Sequence, residues 1–118
     1  MNANLIPANF HYANPNCIDY IIKSDLSEKS GEVTIIFENN GNQIYLDNIE
    51  IRSDLRSKGI GTEILLKLIQ FCKNFGTKRL YLLVDFDNEK AQQLYTNLGF
   101  ELTGNITQLF CYEMEYIL

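Results

Sequence analysis

The amino-acid sequence predicts an α/β protein built on a mixed, twisted sheet of about five to six strands with two main helices. Apolar runs typical of strands occur in both halves of the chain. Two segments of helical periodicity, each followed by a glycine, lie between strands in the second half. At 118 residues and 46% hydrophobic, the chain has the commonest size of a single domain. We therefore expect residues 1–118 to form one domain.

The first half of the chain predicts three antiparallel strands. They are "IDYIIKSD" (18–25), "EVTIIFE" (32–38) and "QIYLDNIEI" (43–51). The Asn-Gly pair in "NNGN", between the last two strands, predicts a hairpin turn. The residues before the first strand are rich in Asn and contain two prolines, so residues 1–17 are expected to be an irregular N-terminal segment.

A strand, helix, strand crossover is predicted next. From Gly59 onward, apolar side chains recur every three or four residues, and Gly76 stands where a left-handed helix cap belongs. "RLYLLVDF" (79–86) is a nearly continuous apolar run, which is typical of a strand buried on both faces. A connection of this length between neighbouring strands implies a right-handed parallel crossover.

A second, shorter helix and two final strands complete the prediction. The helix runs through "EKAQQLYTNL", with Asp87 or Asn88 as its N-terminal cap and Gly99 as its terminator. The tail predicts strands over 100–103 and 109–117, joined by a loop.

Composition excludes several classes of protein. The net charge of −5 disfavours a nucleic-acid partner, because phosphate backbones require a basic surface. No apolar run approaches the roughly 20 residues that span a bilayer, and the first residues do not form a signal peptide, so we expect a cytoplasmic protein without a membrane partner. Cys17, Cys72 and Cys111 are widely spaced, which favours neither a disulfide framework nor a metal site.

The segment "RSKGIG" (56–61) follows a strand and begins a helix. It lies in a stretch, 52–79, with seven basic and two acidic residues, which suggests a local anion site. Unpaired amides at a helix N-terminus bind phosphate oxygens, and glycine removes the side chain that would block them. A triphosphate loop would need Lys and Ser or Thr after the glycines, and a dinucleotide fingerprint would need glycine in place of Ile64. Once these two kinds of phosphate site are excluded, the segment still permits a pyrophosphate site.

Two motifs resemble one family. "RSKGIG" matches the Arg/Gln-x-x-Gly-x-Gly/Ala motif of the GNAT superfamily of N-acetyltransferases, and "NEKAQQLYTNLGF" is similar to that family's second signature, Asn-x-x-Ala-x-x-x-Tyr-x-x-x-Gly-Phe. The resemblance covers about residues 32–118 and includes the tail "YEMEYIL". It implies an acyl-CoA N-acyltransferase fold, in which acetyl-CoA lies as co-substrate in a V-shaped opening between the strands that end at Ile51 and Val84.

The resemblance also implies roles for individual residues. Backbone amides from Ser57 through Thr62 would hold the CoA pyrophosphate, with two flanking basic side chains. Backbone groups near the end of the preceding strand would pair with the pantetheine arm. Tyr95 would be the catalytic residue that protonates the departing thiolate; the alternative is an aromatic residue that only packs on the sheet. The implied cofactor-binding residues are Ile49, Ile51, Arg56, Ser57, Lys58, Gly59, Ile60, Gly61, Thr62 and Asn88.

The sequence departs from the family pattern on the acceptor side. Only about 31 residues precede Glu32, without the helical pattern of the two helices that usually wall the acceptor site. We therefore hypothesise that a second copy of the chain, as a homodimer, or the first 17 residues supply the cover. Leu83 stands where the related alanine N-acetyltransferases of ribosomal proteins carry a catalytic glutamate, so that base is absent. Ser53 replaces a common proline.

The base that deprotonates the acceptor amine therefore has to come from elsewhere. Four carboxylates and one histidine are candidates: Asp47, Glu50, Asp85, Asp87 and His11. Strict alternation would put Tyr45, Asp47, Ile49 and Ile51 on one face of their strand and Glu50 on the other. For each carboxylate, the alternative is an ordinary solvated surface acid.

These features together predict an N-acetyltransferase that moves acetyl from acetyl-CoA directly to an amine, without a metal or a covalent enzyme intermediate. The alternative is a non-catalytic acyl-CoA-binding sensor or interaction module. Because the chain outside 52–79 is strongly acidic, a cationic acceptor such as a polyamine, an aminoglycoside or a lysine-bearing protein is favoured.

Overall fold

The computed structural model describes residues 1–10 and 14–118, so His11 lies outside the described residues. Seven strands and two α-helices form the described part of the chain. In order they are β1 (Ala3–Phe10), β2 (Cys17–Ser24), β3 (Ser27–Glu38), β4 (Gln43–Ile51), α1 (Ile60–Phe75), β5 (Arg79–Asp85), α2 (Glu89–Leu98), β6 (Glu101–Ile106) and β7 (Cys111–Ile117). Within these residues, neither helix is long and apolar enough to cross a membrane.

The strands form one mixed sheet in the order β1-β2-β3-β4-β5-β7-β6. Among the described strands only β4 and β5 are parallel, and α1 connects them, which confirms the parallel pairing predicted for this crossover. Their pairing runs from Gln43 opposite Arg79 to Leu46 opposite Leu82 and then stops. Beyond these residues the two strands separate, so the predicted V-shaped opening lies at their carboxyl ends.

β1 corrects the prediction for the first 17 residues. The sequence predicts an irregular segment there and five to six strands in all, whereas residues 3–10 form a seventh strand, antiparallel to β2. Asn and Pro are poor strand formers, which hid this strand. Pro7 is tolerated because β1 is an edge strand with a bulge between Pro7 and Asn9. Ala3 is fully buried, so β1 is tied to the core by its side chains as well as by its backbone.

Both helices cover the same face of the sheet, which we call the helical face. α1 buries its predicted stripe, except that Phe75 at its end is exposed and stacks on Phe71. α2 is joined to this face through Phe100, whose ring packs on Tyr116 of β7. The core between helices and sheet is formed mainly by Val33, Ile35, Ile44, Leu46, Ile60, Ile64, Leu65, Leu68, Leu80, Leu82 and Met114. We call the opposite face, which carries Tyr45 and Tyr81, the open face.

Two glycines end the helices as predicted. Gly76 follows α1 with φ +88°, and Gly99 follows α2 with φ +108°. These left-handed conformations are strained for residues with a side chain, so glycine stops each helix where the chain must turn back into a strand.

Candidate active site

A cleft of about 440 Å³ lies where β4 and β5 separate, between the N-terminal ends of α1 and α2. Most of the residues that the sequence assigned to the cofactor or to catalysis line it. They are Ile49, Ile51, Arg56, Ser57, Gly59, Ile60, Gly61, Thr62, Asn88 and Tyr95. Lys58 is the exception, because its exposed side chain lies on the same loop outside the lining.

The loop between β4 and α1 is held in shape by its own side chains. Arg56 donates from Nε to the Ile51 carbonyl oxygen at 3.0 Å, so its guanidinium closes the loop onto the end of β4. Arg52 forms a two-pronged pair with Asp54, at 2.7 and 2.8 Å, and also donates to the Lys29 carbonyl at 3.0 Å. Hydrogen bonding from Arg52 lowers the pKa of Asp54. These contacts tie the loop to the end of β4 and to β3.

The N-terminus of α1 opens into the cleft without a side-chain cap. Gly59 is the N-cap residue with φ +90°, and the first helical hydrogen bond of this turn runs from the Glu63 amide to the Gly59 carbonyl at 3.1 Å. The amides of Ile60, Gly61 and Thr62 precede that bond and have no intrahelical acceptor. Free amides of this kind, at the positive end of a helix dipole, are suited to an anionic ligand.

Packing does not explain why residue 61 is a glycine. A Cβ atom built on it would approach no neighbour closer than 3.9 Å, to Ile51 Cγ1 and Leu94 Cδ2. Its backbone conformation is an ordinary helical one, since it is not among the residues with positive φ. The fold therefore accepts a side chain at this position. What the glycine leaves open is the space in front of the uncapped amides.

Asn88 caps the second helix of the cleft. Its Oδ1 accepts a hydrogen bond from the Ala91 amide at 3.1 Å, which settles the alternative with Asp87 in favour of Asn88. Gln92 reinforces this end of α2 by donating to the carbonyls of Asp85 and Phe86, at 2.9 and 3.1 Å. α2 is thus fixed to the end of β5, and Asn88 has a structural role besides any contact to the cofactor.

Replacing Asn88 with Ala should lower the free energy of unfolding by about 1 kcal/mol, the usual value of a helix N-cap. Asn88→Asp keeps an acceptor oxygen at the same place and should lower it by much less. Urea unfolding of the two variants and the wild type measures the difference. Equal losses in both variants would contradict the capping role.

Tyr95 lies on α2, where it is buried and lines the cleft. The residue is 8% exposed, and its ring packs 5.7 Å from that of Phe100. No described hydrogen bond uses the Tyr95 hydroxyl. Every fully buried side-chain oxygen among the described residues does have a hydrogen-bond partner. The Tyr95 hydroxyl therefore keeps some accessible surface, on a residue that lines the cleft. Burial raises the pKa of Tyr95, so the group keeps its proton through neutral pH.

A bulge in β4 corrects the predicted alternation. Pairing with β3 passes from Thr34 opposite Asn48 to Ile35 opposite Leu46, which leaves Asp47 as an extra residue. Ile49 and Ile51 therefore lie on the helical face and line the cleft, whereas strict alternation had placed them with Tyr45. Tyr45 is on the open face, stacked on Tyr81 at 4.8 Å. No glycine or proline marks this bulge in the sequence.

The four candidate carboxylates lie on β4, at the end of β5 and in the turn before α2. Asp47, at the bulge, is close enough to Tyr45 to contribute, after burial, to its raised pKa. Glu50 lines the cleft near the end of β4. Asp85 ends β5 and accepts a hydrogen bond from the Cys111 thiol at 3.3 Å. Asp87 is exposed in the turn before α2.

The open face is acidic around its tyrosine pair. Glu38 accepts a hydrogen bond from the Tyr81 hydroxyl at 2.7 Å, and burial followed by this contact raises the pKa of Tyr81. Arg79 is the cation beside this pair, with its guanidinium 4.3 Å from the Tyr81 ring centre, and it is paired with two carboxylates, those of Glu113 and Glu115. Its charge is therefore neutralised locally. The carboxylates near the strand separation, Asp47 and Asp85, have no such partner among the described ion pairs.

The fold and the cleft define a mixed-sheet α/β protein in which an uncapped helix N-terminus lines the opening of the parallel strand pair. Comparison with known proteins gives the family. The model of the acetyltransferase (GNAT) family matches residues 6–100, and the chain belongs to this family. The two motifs and the fold implied by their resemblance are thereby confirmed.

Relatives and solved structures extend this result. The chain is 31% identical over 75 residues to a thialysine N-epsilon-acetyltransferase of Bos taurus, covering 64% of this chain and 44% of that protein. It is 28% identical over 102 residues to a spermidine N(1)-acetyltransferase of Escherichia coli (strain K12), covering 82% of this chain and 52% of that protein. The chain thus spans about half the length of these relatives. Its fold matches that of a GNAT family acetyltransferase from Elizabethkingia anophelis with acetyl-CoA bound, at a TM-score of 0.78 and 17% identity over 99% of both chains.

Proposed function

We propose that this protein transfers an acetyl group from acetyl-CoA directly to a cationic amine. The observation that carries the proposal is the uncapped, glycine-lined N-terminus of α1, which opens into the same cleft as the unpartnered hydroxyl of Tyr95. The first feature suits the pyrophosphate of CoA, and the second suits its thioester sulfur. The cofactor would therefore lie along the cleft, with its pyrophosphate and its sulfur held by different elements.

The pantetheine arm, which joins the pyrophosphate to the thioester sulfur, would lie along the exposed edge of β4. Since β4 pairs with β5 only as far as Leu46, backbone N–H and C=O groups near Ile49 and Ile51 are not used by β5. The amide groups of a pantetheine arm can pair with such an edge as a further strand does. Asn88, at the start of α2, is placed to contact the arm from the other side. The neighbour with acetyl-CoA bound has the same fold, which supports this placement.

In the proposed reaction the amine nitrogen attacks the thioester carbon, the carbon–sulfur bond breaks, and the CoA thiolate takes a proton from Tyr95. The amine loses its own proton to a carboxylate or to water. Asp47 is the candidate we favour, because it lies close to Tyr45 of the open face and directly follows Leu46, the last β4 residue paired with β5. Asp85 and Glu50 remain alternatives on either side of the opening.

The acidic open face supports a cationic acceptor. Asp47 and Asp85 lie near the strand separation, and neither has a cationic partner among the described ion pairs. The relatives include enzymes named for thialysine and spermidine, both of which are cationic amines. The same charges argue against two copies meeting through their open faces, since like charges would then be brought together. We propose that the homodimer forms through another surface. We also propose a cytoplasmic location.

Binding of CoA should stabilise the fold. At about 100 times the dissociation constant, a ligand that binds only the folded state adds roughly 2.7 kcal/mol to the free energy of unfolding. For a protein of this size, the melting temperature should rise by about 10 °C. Thermal melts with and without CoA measure the shift. Equal melting temperatures at millimolar CoA would exclude both the enzyme and the alternative, a non-catalytic acyl-CoA-binding module.

Release of CoA from acetyl-CoA with spermidine, lysine and an aminoglycoside then separates these two functions.

A further inference from the structure

Lys90 is a charged residue of the cleft that neither sequence motif assigns to the cofactor. It is the second residue of α2, and it lines the cleft opposite the N-terminus of α1. Its ammonium group donates to the Ser57 hydroxyl at 2.9 Å, which joins α2 to the loop that begins at the end of β4. This contact connects the two sides of the cleft.

Lys90 is exposed, and no ion pair neutralises its charge in the described part of the chain. The ammonium lies in the first turn of α2, where the helix dipole disfavours a positive charge. It also faces the loop that leads to the uncapped amides of α1, a second positive helix end. A neutral hydroxyl is its only described partner.

We infer that Lys90 is a phosphate ligand, which exchanges its contact with Ser57 for a pyrophosphate oxygen of CoA; this inference rests on the proposed function. Ser57 belongs to the same loop as Gly59, and that loop leads into the amides proposed to hold the pyrophosphate. A lysine on a flexible stem can follow a phosphate group over several ångströms. Phosphate oxygens form stronger hydrogen bonds with an ammonium group than a neutral hydroxyl does.

The exchange has a structural consequence. While Lys90 contacts Ser57, the two sides of the cleft are joined directly; when phosphate enters, the anion joins them instead. Lys90 therefore holds α2 against the loop in both states. Tyr95 is on the same helix, so the position of the proton donor is linked to the phosphate site through one rigid element.

Calorimetric titration of CoA and of dephospho-CoA, which lacks the 3′-phosphate, tests this inference. Lys90→Gln should raise the dissociation constant about tenfold, as expected for a lost hydrogen bond to a charged group. The factor should be the same for both ligands, because both retain the pyrophosphate. Lys90→Arg should recover most of the affinity. Lys73→Gln is the matched control: it removes an exposed lysine near the far end of α1 and should leave the affinity within about twofold.

The outcomes are distinct. If the wild type binds neither ligand, the proposed function fails and the inference fails with it. If the wild type binds CoA and Lys90→Gln binds it equally well, only the inference is overturned. A loss with CoA that disappears with dephospho-CoA would assign Lys90 to the 3′-phosphate and overturn its place at the pyrophosphate. Melting curves without ligand check that the variants are folded.

Discussion

Replacing Gly61 with Asp should abolish CoA binding while leaving the protein folded. The new carboxylate would stand in front of the uncapped amides of α1, where the structure leaves space around a built Cβ atom. It would add both bulk and negative charge at the proposed pyrophosphate position. We expect the dissociation constant for CoA to rise by more than about 100-fold, which corresponds to about 2.7 kcal/mol.

Stability and binding should change in different directions in this variant. An acidic residue in the first turn of a helix interacts favourably with the dipole, by about 0.3 to 1 kcal/mol. Gly61→Asp should therefore melt at or above the wild-type temperature without ligand, and CoA should no longer raise it. Gly61→Ala is the matched control, since it adds the Cβ atom without charge and should show a smaller loss of affinity. A full CoA-dependent shift in Gly61→Asp would remove α1 from the phosphate site.

The parts of the fold that the sequence predicted are those whose signals are local. α1 and α2 have strong helical periodicity and end at glycines, and β5 is a continuous apolar run between them. Both cofactor motifs lie on single segments of chain, so each brings its own residues together wherever the segment packs. This explains why Ser57, Gly59 and Gly61 on one segment, and Asn88 and Tyr95 on the other, all line one cleft.

The parts that the sequence missed depend on pairing between distant segments. β1 has a polar, proline-containing sequence and is a strand because β2 offers it a partner. The β4 bulge follows from the register with β3, and nothing in "QIYLDNIEI" marks Asp47 as the extra residue. Lys90 could have been noticed only as a basic residue in the first turn of a helix, where acids are favoured. Its contact to Ser57 joins positions 33 residues apart.

Replacing Tyr95 with Phe should lower the turnover number roughly 100-fold, which is about 2.7 kcal/mol in the activation barrier. The variant keeps the ring that packs against Phe100 and removes only the hydroxyl. A thiol is a fair leaving group, so the gain from its protonation should lie at the low end of general acid catalysis. The Michaelis constant for acetyl-CoA should change little, because the phosphate site and the edge of β4 are untouched.

The stability of the variant separates catalysis from packing. Since none of the described hydrogen bonds uses the Tyr95 hydroxyl, Tyr95→Phe should unfold at nearly the wild-type temperature. Tyr116→Phe is the matched control: it also packs on Phe100 but does not line the cleft, and it should keep the wild-type turnover number. The raised pKa of Tyr95 adds a pH test, because the donor stays protonated up to and beyond the ordinary value of about 10. Wild-type activity should therefore show no fall from loss of this proton below that pH. If Tyr95→Phe turns over as fast as the wild type, the hydroxyl is not the proton donor, and Tyr95 is a packing residue of α2.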